Sequence, residues 1–201
     1  MKKQLAPLIA ALLCLPLITL AADTAIFNGK NLDGWHADPE DTAKDWSVKD
    51  GMIVGDNPGK NNSVLWTDTD HADFELTLEY QTDSEDYDSG VFVRGKTHQV
   101  QIGVSRSLKR DLTGCIYAPK DDRGKYPAET DKVESVHKLG EWNKLRIVAT
   151  GKRIQTFLND ESFVDYEAVV IPDSGKIGLQ LHAGVHQTMR FRNLVYKPLN
   201  N

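Results

Sequence analysis

The 201-residue sequence has two cysteines, and one of them, Cys14, lies in an apolar N-terminal run. A disulfide framework or a zinc cluster needs more thiols than this. Without the N-terminal run Cys115 stands alone, no intrachain disulfide is possible, and a small buried hydrophobe is the ordinary fate of such a residue. Basic charge is also short: 24 Lys and Arg face 29 Asp and Glu, a formal net charge of −5. That balance speaks against a nucleic-acid binder, which neutralises phosphates with a basic surface. The sequence holds no G-x-S-x-G, no H-E-x-x-H and no phosphate-cradling glycine loop. After Asp23 no segment keeps a helical period, and none is apolar for the length of a membrane span.

What is present begins with Lys2 and Lys3, followed by an uncharged run from Leu5 to Ala22 that Pro7 and Pro16 interrupt. A basic start, a short apolar stretch and small residues at Ala21-Ala22 describe a secretory signal peptide over residues 1–22. The expected product is exported, periplasmic or secreted, and spans residues 23–201. Losing two lysines leaves 22 basic residues against 29 acidic ones, a net charge of −7.

Within 23–201, short alternating apolar runs recur between Gly, Asn and Asp punctuation. They fall at 51–55, 63–67, 73–81, 89–95, 98–104, 142–150, 153–158, 176–182 and 188–196. Gly151-Lys152 and Asn159-Asp160 sit where two tight hairpin turns belong. Many short strands with regular turns predict one all-β domain, a two-sheet jelly-roll sandwich. The polar stretch from Ser105 to Gly140, with Pro119 and Pro127, reads as one long loop excursion, of the kind that often carries function.

Period two along each strand separates the side chains into two faces. Phe74, Leu76, Leu78 and Tyr80 oppose Glu75, Thr77 and Glu79; Val91 and Val93 oppose Phe92 and Arg94. Val100 and Ile102 oppose Gln99 and Gln101, and Leu179 and Leu181 oppose Gln180 and His182. An ordinary solvated face explains such a pattern, but Gln, Arg and His are planar, multi-donor groups that suit a hydroxyl-rich ligand. A concave polar sheet is therefore the expected site. Trp35 and Trp66 are the candidates for an exposed stacking face, whereas Trp142 is expected in the core. His36, His71, His137 and His186 read as solvated loop imidazoles; His98 and His182 fall on different faces and are not expected to act as a pair.

Two acidic patterns compete with this site. Asp83, Glu85, Asp86 and Asp88 supply hard oxygens suited to calcium, without matching the twelve-residue calcium loop. Glu129, Asp131 and Glu134 fit E-x-D-x-x-E, similar to the signature of laminarinase-type glycosidases, where two carboxyls flank the scissile bond. That signature belongs on an apolar strand, and here it lies in the polar excursion.

Read in order, several segments resemble the 3-keto-disaccharide hydrolase family. They are Ile26-Phe-Asn-Gly-Lys-Asn-Leu-Asp-Gly-Trp35, Trp46-Ser-Val-Lys-Asp-Gly51, Asp73-Phe-Glu-Leu-Thr-Leu-Glu-Tyr80 and Asp88-Ser-Gly-Val-Phe-Val-Arg94. Val100-Gln-Ile102, Thr113-Gly-Cys-Ile-Tyr117, Glu141-Trp-Asn143, Gly178-Leu-Gln-Leu-His182 and Phe191-Arg-Asn193 follow. The resemblance implies a concanavalin-like jelly roll that acts on oxidised sugars, glycosides carrying a ketone at C3. It implies a base, His182 or Glu79, that removes the C2 proton. Arg94 would polarise the ketone or bind a carboxylate, unless it forms a structural ion pair with Glu79. Gln101, Gln180, Gln99, Asp88 and Trp66 would hold the sugar. No cofactor is required, although a divalent metal ion held by His182 and Glu79 would replace Arg94 as the electrophile. The chain departs from the family where Asp88 replaces an Asn and Gln99 replaces a Glu. The second change leaves a non-catalytic, lectin-like module as the alternative.

Overall fold

The computed structural model describes residues 23–120 and 122–199, so the segment read as a signal peptide lies outside the described residues. Among these, fourteen strands form. They are β1 (Thr24–Ala25), β2 (Trp35–Asp38), β3 (Trp46–Lys49), β4 (Met52–Pro58), β5 (Ser63–Thr67), β6 (Phe74–Thr82) and β7 (Asp88–Val93). Then come β8 (His98–Gly103), β9 (Ile116–Tyr117), β10 (Asn143–Thr150), β11 (Arg153–Leu158), β12 (Glu161–Glu167), β13 (Gly178–Leu181) and β14 (His186–Pro198). A 3-10 segment, Glu40–Asp45, and one turn of α-helix, Val133–Val136, are the helical pieces among the described residues.

The strands build two antiparallel sheets. The larger runs β12-β11-β10-β6-β14-β4-β3, with β1 on β14; the smaller runs β2-β5-β13-β7-β8-β9. The hairpins expected from sequence close β10–β11 and β11–β12, pairing Thr150 with Arg153 and Leu158 with Glu161. Asn159 and Asp160 both take left-handed φ, 50° and 70°, as a two-residue turn matched to strand twist requires.

Alternation decides what each sheet buries. In β6 the residues Phe74, Leu76, Leu78 and Tyr80 are fully buried, and Val91, Val100, Ile102, Leu179 and Leu181 face them from the smaller sheet in the same core. Each such side chain contributes about 1.5–3 kcal/mol when removed from water. The result is a β-sandwich whose polar faces point away from one another, one on the outside of each sheet.

The excursion is better anchored than its composition suggests. Its β9 extends the smaller sheet by pairing Tyr117 with Gln99 and Ile116 with Val100. Leu112, Cys115, Ile116 and Ala118 are fully buried in the core. Burial pushes the Cys115 thiol up to about 11, so it is inert at neutral pH. The excursion thereby forms a wall over β8, and both faces of β7 and β8 are buried.

Candidate active site

The outer face of the smaller sheet holds a cleft of about 320 Å3, lined by Asp88, Gln99, Gln101, Gln180 and His182 from the sheet. The excursion closes it with Arg106, Tyr117, Lys125 and Tyr126. Two glycines of the smaller sheet make room for side chains on this face. A Cβ at Gly90 would stand 2.5 Å from the Gln99 amide nitrogen, and one at Gly178 would stand 2.6 Å from the Trp66 ring. Only glycine lets these side chains lie flat across the strands.

The polar groups are tied together. Gln99 Nε2 donates to Gln180 Oε1 at 2.6 Å, and Gln180 Nε2 donates to Asn62 Oδ1 at 3.1 Å. Gln101 Nε2 donates to Asp88 Oδ1 at 2.8 Å, while Arg106 Nε stands 3.3 Å from Asp88 Oδ2. Asp88 is itself fixed at its backbone by Gln187, which accepts from Asp88 N and donates to Asp88 O. Burial raises the Asp88 carboxyl above its ordinary range, opposed by the Gln101 hydrogen bond and the nearby His182 and Arg106.

His182 follows β13 directly, with its side chain 39% exposed on the cleft. Its Nδ1 lies 2.6 Å from the carbonyl oxygen of Ala183 and 4.0 Å from Asp88 Oδ2. A carbonyl only accepts, so Nδ1 carries the proton and Nε2 keeps the free lone pair. The cleft thus combines an imidazole free to take a proton, a buried carboxyl and the Arg106 guanidinium.

Two residues expected here are elsewhere. Glu79 belongs to β6, hence to the outer face of the larger sheet, where Arg192 Nε donates to its Oε2 at 2.6 Å. Arg94 follows β7 at a left-handed φ of 56°, and this turn carries its side chain off the polar face. Its guanidinium is fully buried, paired with Asp73 at 2.6 Å and bonded to the carbonyls of Ala72 and Gly151. Arg94 therefore has a structural partner, but the partner is Asp73 and not Glu79. With Glu79 on the opposite sheet, His182 and Glu79 cannot share a metal ion. Among the described residues no three His, Cys, Asp or Glu side chains are grouped as ligands. The acidic turn disperses likewise: Asp83 pairs with Arg190, Asp86 with Arg106, and Asp88 turns into the cleft.

The aromatic expectations also change. Trp35 is buried, donating from Nε1 to the Ile26 carbonyl, and Trp142 lies half-buried outside the larger sheet under Arg192. Trp66 is buried at 3% exposure but on the cleft side of the smaller sheet, 5.2 Å from Phe92 between ring centres. His36 is on β2 and pairs with Asp68; His71 is buried and the His137 side chain is 7% exposed beside Asp111, contrary to the solvated reading. His98 is buried against Asp122, away from His182, in keeping with the face assignment.

A second depression of about 470 Å3 includes Asp131 and Glu134. Glu129 is ion-paired to Arg110, and Glu134 sits on the single helical turn, so the carboxylates do not lie along one strand. Glu79→Gln and Glu129→Gln should therefore each leave turnover and binding within twofold of the parent. Their ion pairs, each partly exposed to water, are worth about 1 kcal/mol, a loss that a melting curve would register as a small shift. A tenfold loss of activity in either would overturn this placement.

Sequence reasoning missed Arg106, Lys125 and Tyr126, because nothing in a polar excursion tells which of its side chains fold back over β8, and it missed Lys96 in the turn between β7 and β8. The signal for Arg106 was its place just after β8, beside the acidic turn.

A family model described as the 3-keto-alpha-glucoside-1,2-lyase-like domain matches residues 22–197. No curated protein matches the sequence. Among solved structures, a "putative glycosyl hydrolase" from Parabacteroides distasonis ATCC 8503 is 25% identical, with a TM-score of 0.67 over 89% of this chain and 100% of that one. The carbohydrate-binding module CBM66 from Bacillus subtilis shares 13% identity and a TM-score of 0.50, over 89% of this chain and 97% of the other. The exoplasmic/lumenal domain of VIP36, solved in a Ca2+/Man3GlcNAc-bound form, shares 9% identity and a TM-score of 0.59 over 84% and 85% of the two chains. The last two show a common fold alone.

Proposed function

The chain belongs to the family of 3-keto-alpha-glucoside-1,2-lyase-like domains, and from that premise we propose that it is an exported enzyme that cleaves 3-keto-glycosides in the cleft of the smaller sheet. The observation that carries this reading is the convergence of His182, Asp88 and Arg106 with three glutamines in one cleft. The basic, apolar start of the sequence supports export, and among the described residues no helix is long and apolar enough to cross a membrane.

A ketone at C3 acidifies the proton on C2. His182 Nε2 takes that proton, and the C2–H electron pair forms the C2–C3 double bond of an enediolate. Arg106, with the Tyr126 hydroxyl beside Gln101, stabilises the negative C3 oxygen. The enediolate then returns its electrons to form the C1–C2 double bond as the C1–O bond breaks. The departing oxygen takes a proton, for which Asp88 is the buried acid that lines the cleft. Addition of water across C1–C2 completes a net hydrolysis.

Purified protein incubated with 3-keto-trehalose or a methyl 3-keto-α-glucoside should release sugar. Binding without release across several such substrates would overturn the enzymatic reading. The lectin-like alternative is favoured by one feature, Gln99 in place of an acid, held against Gln180.

Asp88→Asn separates the two roles of this carboxyl. Because burial raises its folded value, ionising Asp88 weakens the fold: its contribution is complete below the unfolded value and is lost as pH rises through the folded one. The variant should therefore keep its melting temperature at pH 7 while sugar release falls about 10²–10³-fold. Full activity in a folded Asp88→Asn protein would remove Asp88 from proton transfer.

A further inference from the structure

Val64, Trp66 and Phe92 form a small apolar cluster of their own, separate from the main core and on the cleft side of the smaller sheet. Trp66 leans across Gly178 towards Phe92, since a side chain at 178 would collide with the indole. Phe92 is also part of the cleft wall, and it pairs across the strands with Gln99. Along β7 the distance from Asp88 to Phe92 is four residues, about 13 Å of strand, roughly the reach of two linked pyranose rings.

Two depressions of about 330 and 280 Å3 adjoin Trp66, and both are also lined by Asp38 and Lys96. Lys96 lines the main cleft too, so the three hollows are contiguous at this side chain. Lys96 Nζ donates to Asp38 Oδ2 at 2.6 Å, with side chains 73% and 44% exposed. An exposed pair of this kind opens at little cost. Trp66 Nε1 is buried and has no hydrogen-bond acceptor among the described residues. It is a donor that an oxygen-bearing ligand would satisfy.

We propose that the Trp66–Phe92 patch is a second subsite that receives the leaving group of the glycoside as a ring stacked on the two aromatics. The Asp38–Lys96 pair closes it when no ligand is present. This assignment rests on the cleft being a sugar site, and it names the substrate class: glycosides whose leaving group presents a flat apolar face and an acceptor oxygen. Either a second sugar ring or an aryl group with an ether oxygen has that chemistry.

The test reads binding, so it does not depend on turnover. Methyl α-glucopyranoside, phenyl α-glucopyranoside and trehalose lack the C3 ketone and are not consumed. Calorimetric titration should show the phenyl glucoside, trehalose or both binding about tenfold more tightly than the methyl glucoside. Preference for one of the two identifies an aryl or a sugar leaving group. Trp66→Leu should reduce the ratio to within twofold of one. Should that variant fail to fold, Trp66→Phe should lower the ratio for the favoured ring-bearing glucoside at least threefold. Asp38→Asn should raise the affinity of the favoured ring-bearing glucoside two- to fivefold. Equal affinity for all three glucosides, no binding of any, or a ratio unchanged in a folded Trp66 variant would overturn the subsite. Absence of sugar release from the 3-keto substrates, with the binding ratio intact, would instead overturn the enzymatic reading alone.

Discussion

Replacing His182 by alanine should lower sugar release from a 3-keto-glycoside by about 10²–10⁴-fold, the usual contribution of a positioned general base. The expectation rests on geometry. The Ala183 carbonyl accepts from Nδ1 at 2.6 Å, which leaves Nε2 as the proton-accepting atom. The imidazole is 39% exposed, so its removal neither opens a core cavity nor strands a buried charge. The melting temperature should therefore move by no more than a few degrees, and affinity for the unreacted sugar should change less than turnover does. His182→Gln keeps a polar side chain of similar reach but cannot act as a base, and it should be as inactive as the alanine variant. A rate within tenfold of the parent in both variants would remove His182 from the chemistry.

The largest effect on stability is expected at Arg94. Its guanidinium is fully buried, and it joins Asp73 and the backbone carbonyls of Ala72 and Gly151, which belong to separate turns. Asp73 Oδ1 in turn accepts from the backbone of Gly151. Arg94→Ala leaves those acceptors without their donor, empties the space of a fully buried guanidinium and loses the charge that balances Asp73, a cost of about 3–5 kcal/mol. For a chain of this size that is a fall in melting temperature of about 6–20 °C. Arg94→Lys should recover little, because an ammonium cannot reproduce the planar fork that reaches several acceptors at once. The folded fraction of Arg94→Ala should retain near-normal KM for the sugar, since no atom of Arg94 lines the cleft. A selective loss of turnover with unchanged stability would restore Arg94 to the mechanism.

The contrast between His182 and Arg94 shows where sequence reasoning succeeded. Period two placed Gln99, Gln101, Gln180 and His182 on polar faces, and all four line one cleft because β8 and β13 belong to the same sheet. The same rule put Glu79 on a polar face, and that was correct too, but β6 lies in the other sheet. Alternation states which side of its own sheet a residue occupies; it contains no information about which sheet that is. Arg94 failed for a different reason. The strand ends at Val93 and the next residue turns left-handed, so the alternation had already stopped.

The excursion marks the other limit. Its Pro and charged residues announced a departure from regular strands, but β9 spans two residues and carries too little periodicity to be recognised. Its pairing with β8 brings Tyr117, Tyr126 and Arg106 over the glutamines and converts a sheet face into a cleft.

By itself the sequence determined the all-β class, the hairpin turns, the inner and outer faces of the strands and the family to which the chain belongs. Those properties follow from local periodicity, turn chemistry and the order of short segments, all of which are written along one dimension. Tertiary structure alone decided which polar faces share a sheet and which acids have arginine partners. It also decided how the excursion folds back and that Trp66 lies beside Phe92. These depend on pairings between strands far apart in the chain, and the register of such pairings is set by the packing of the common core.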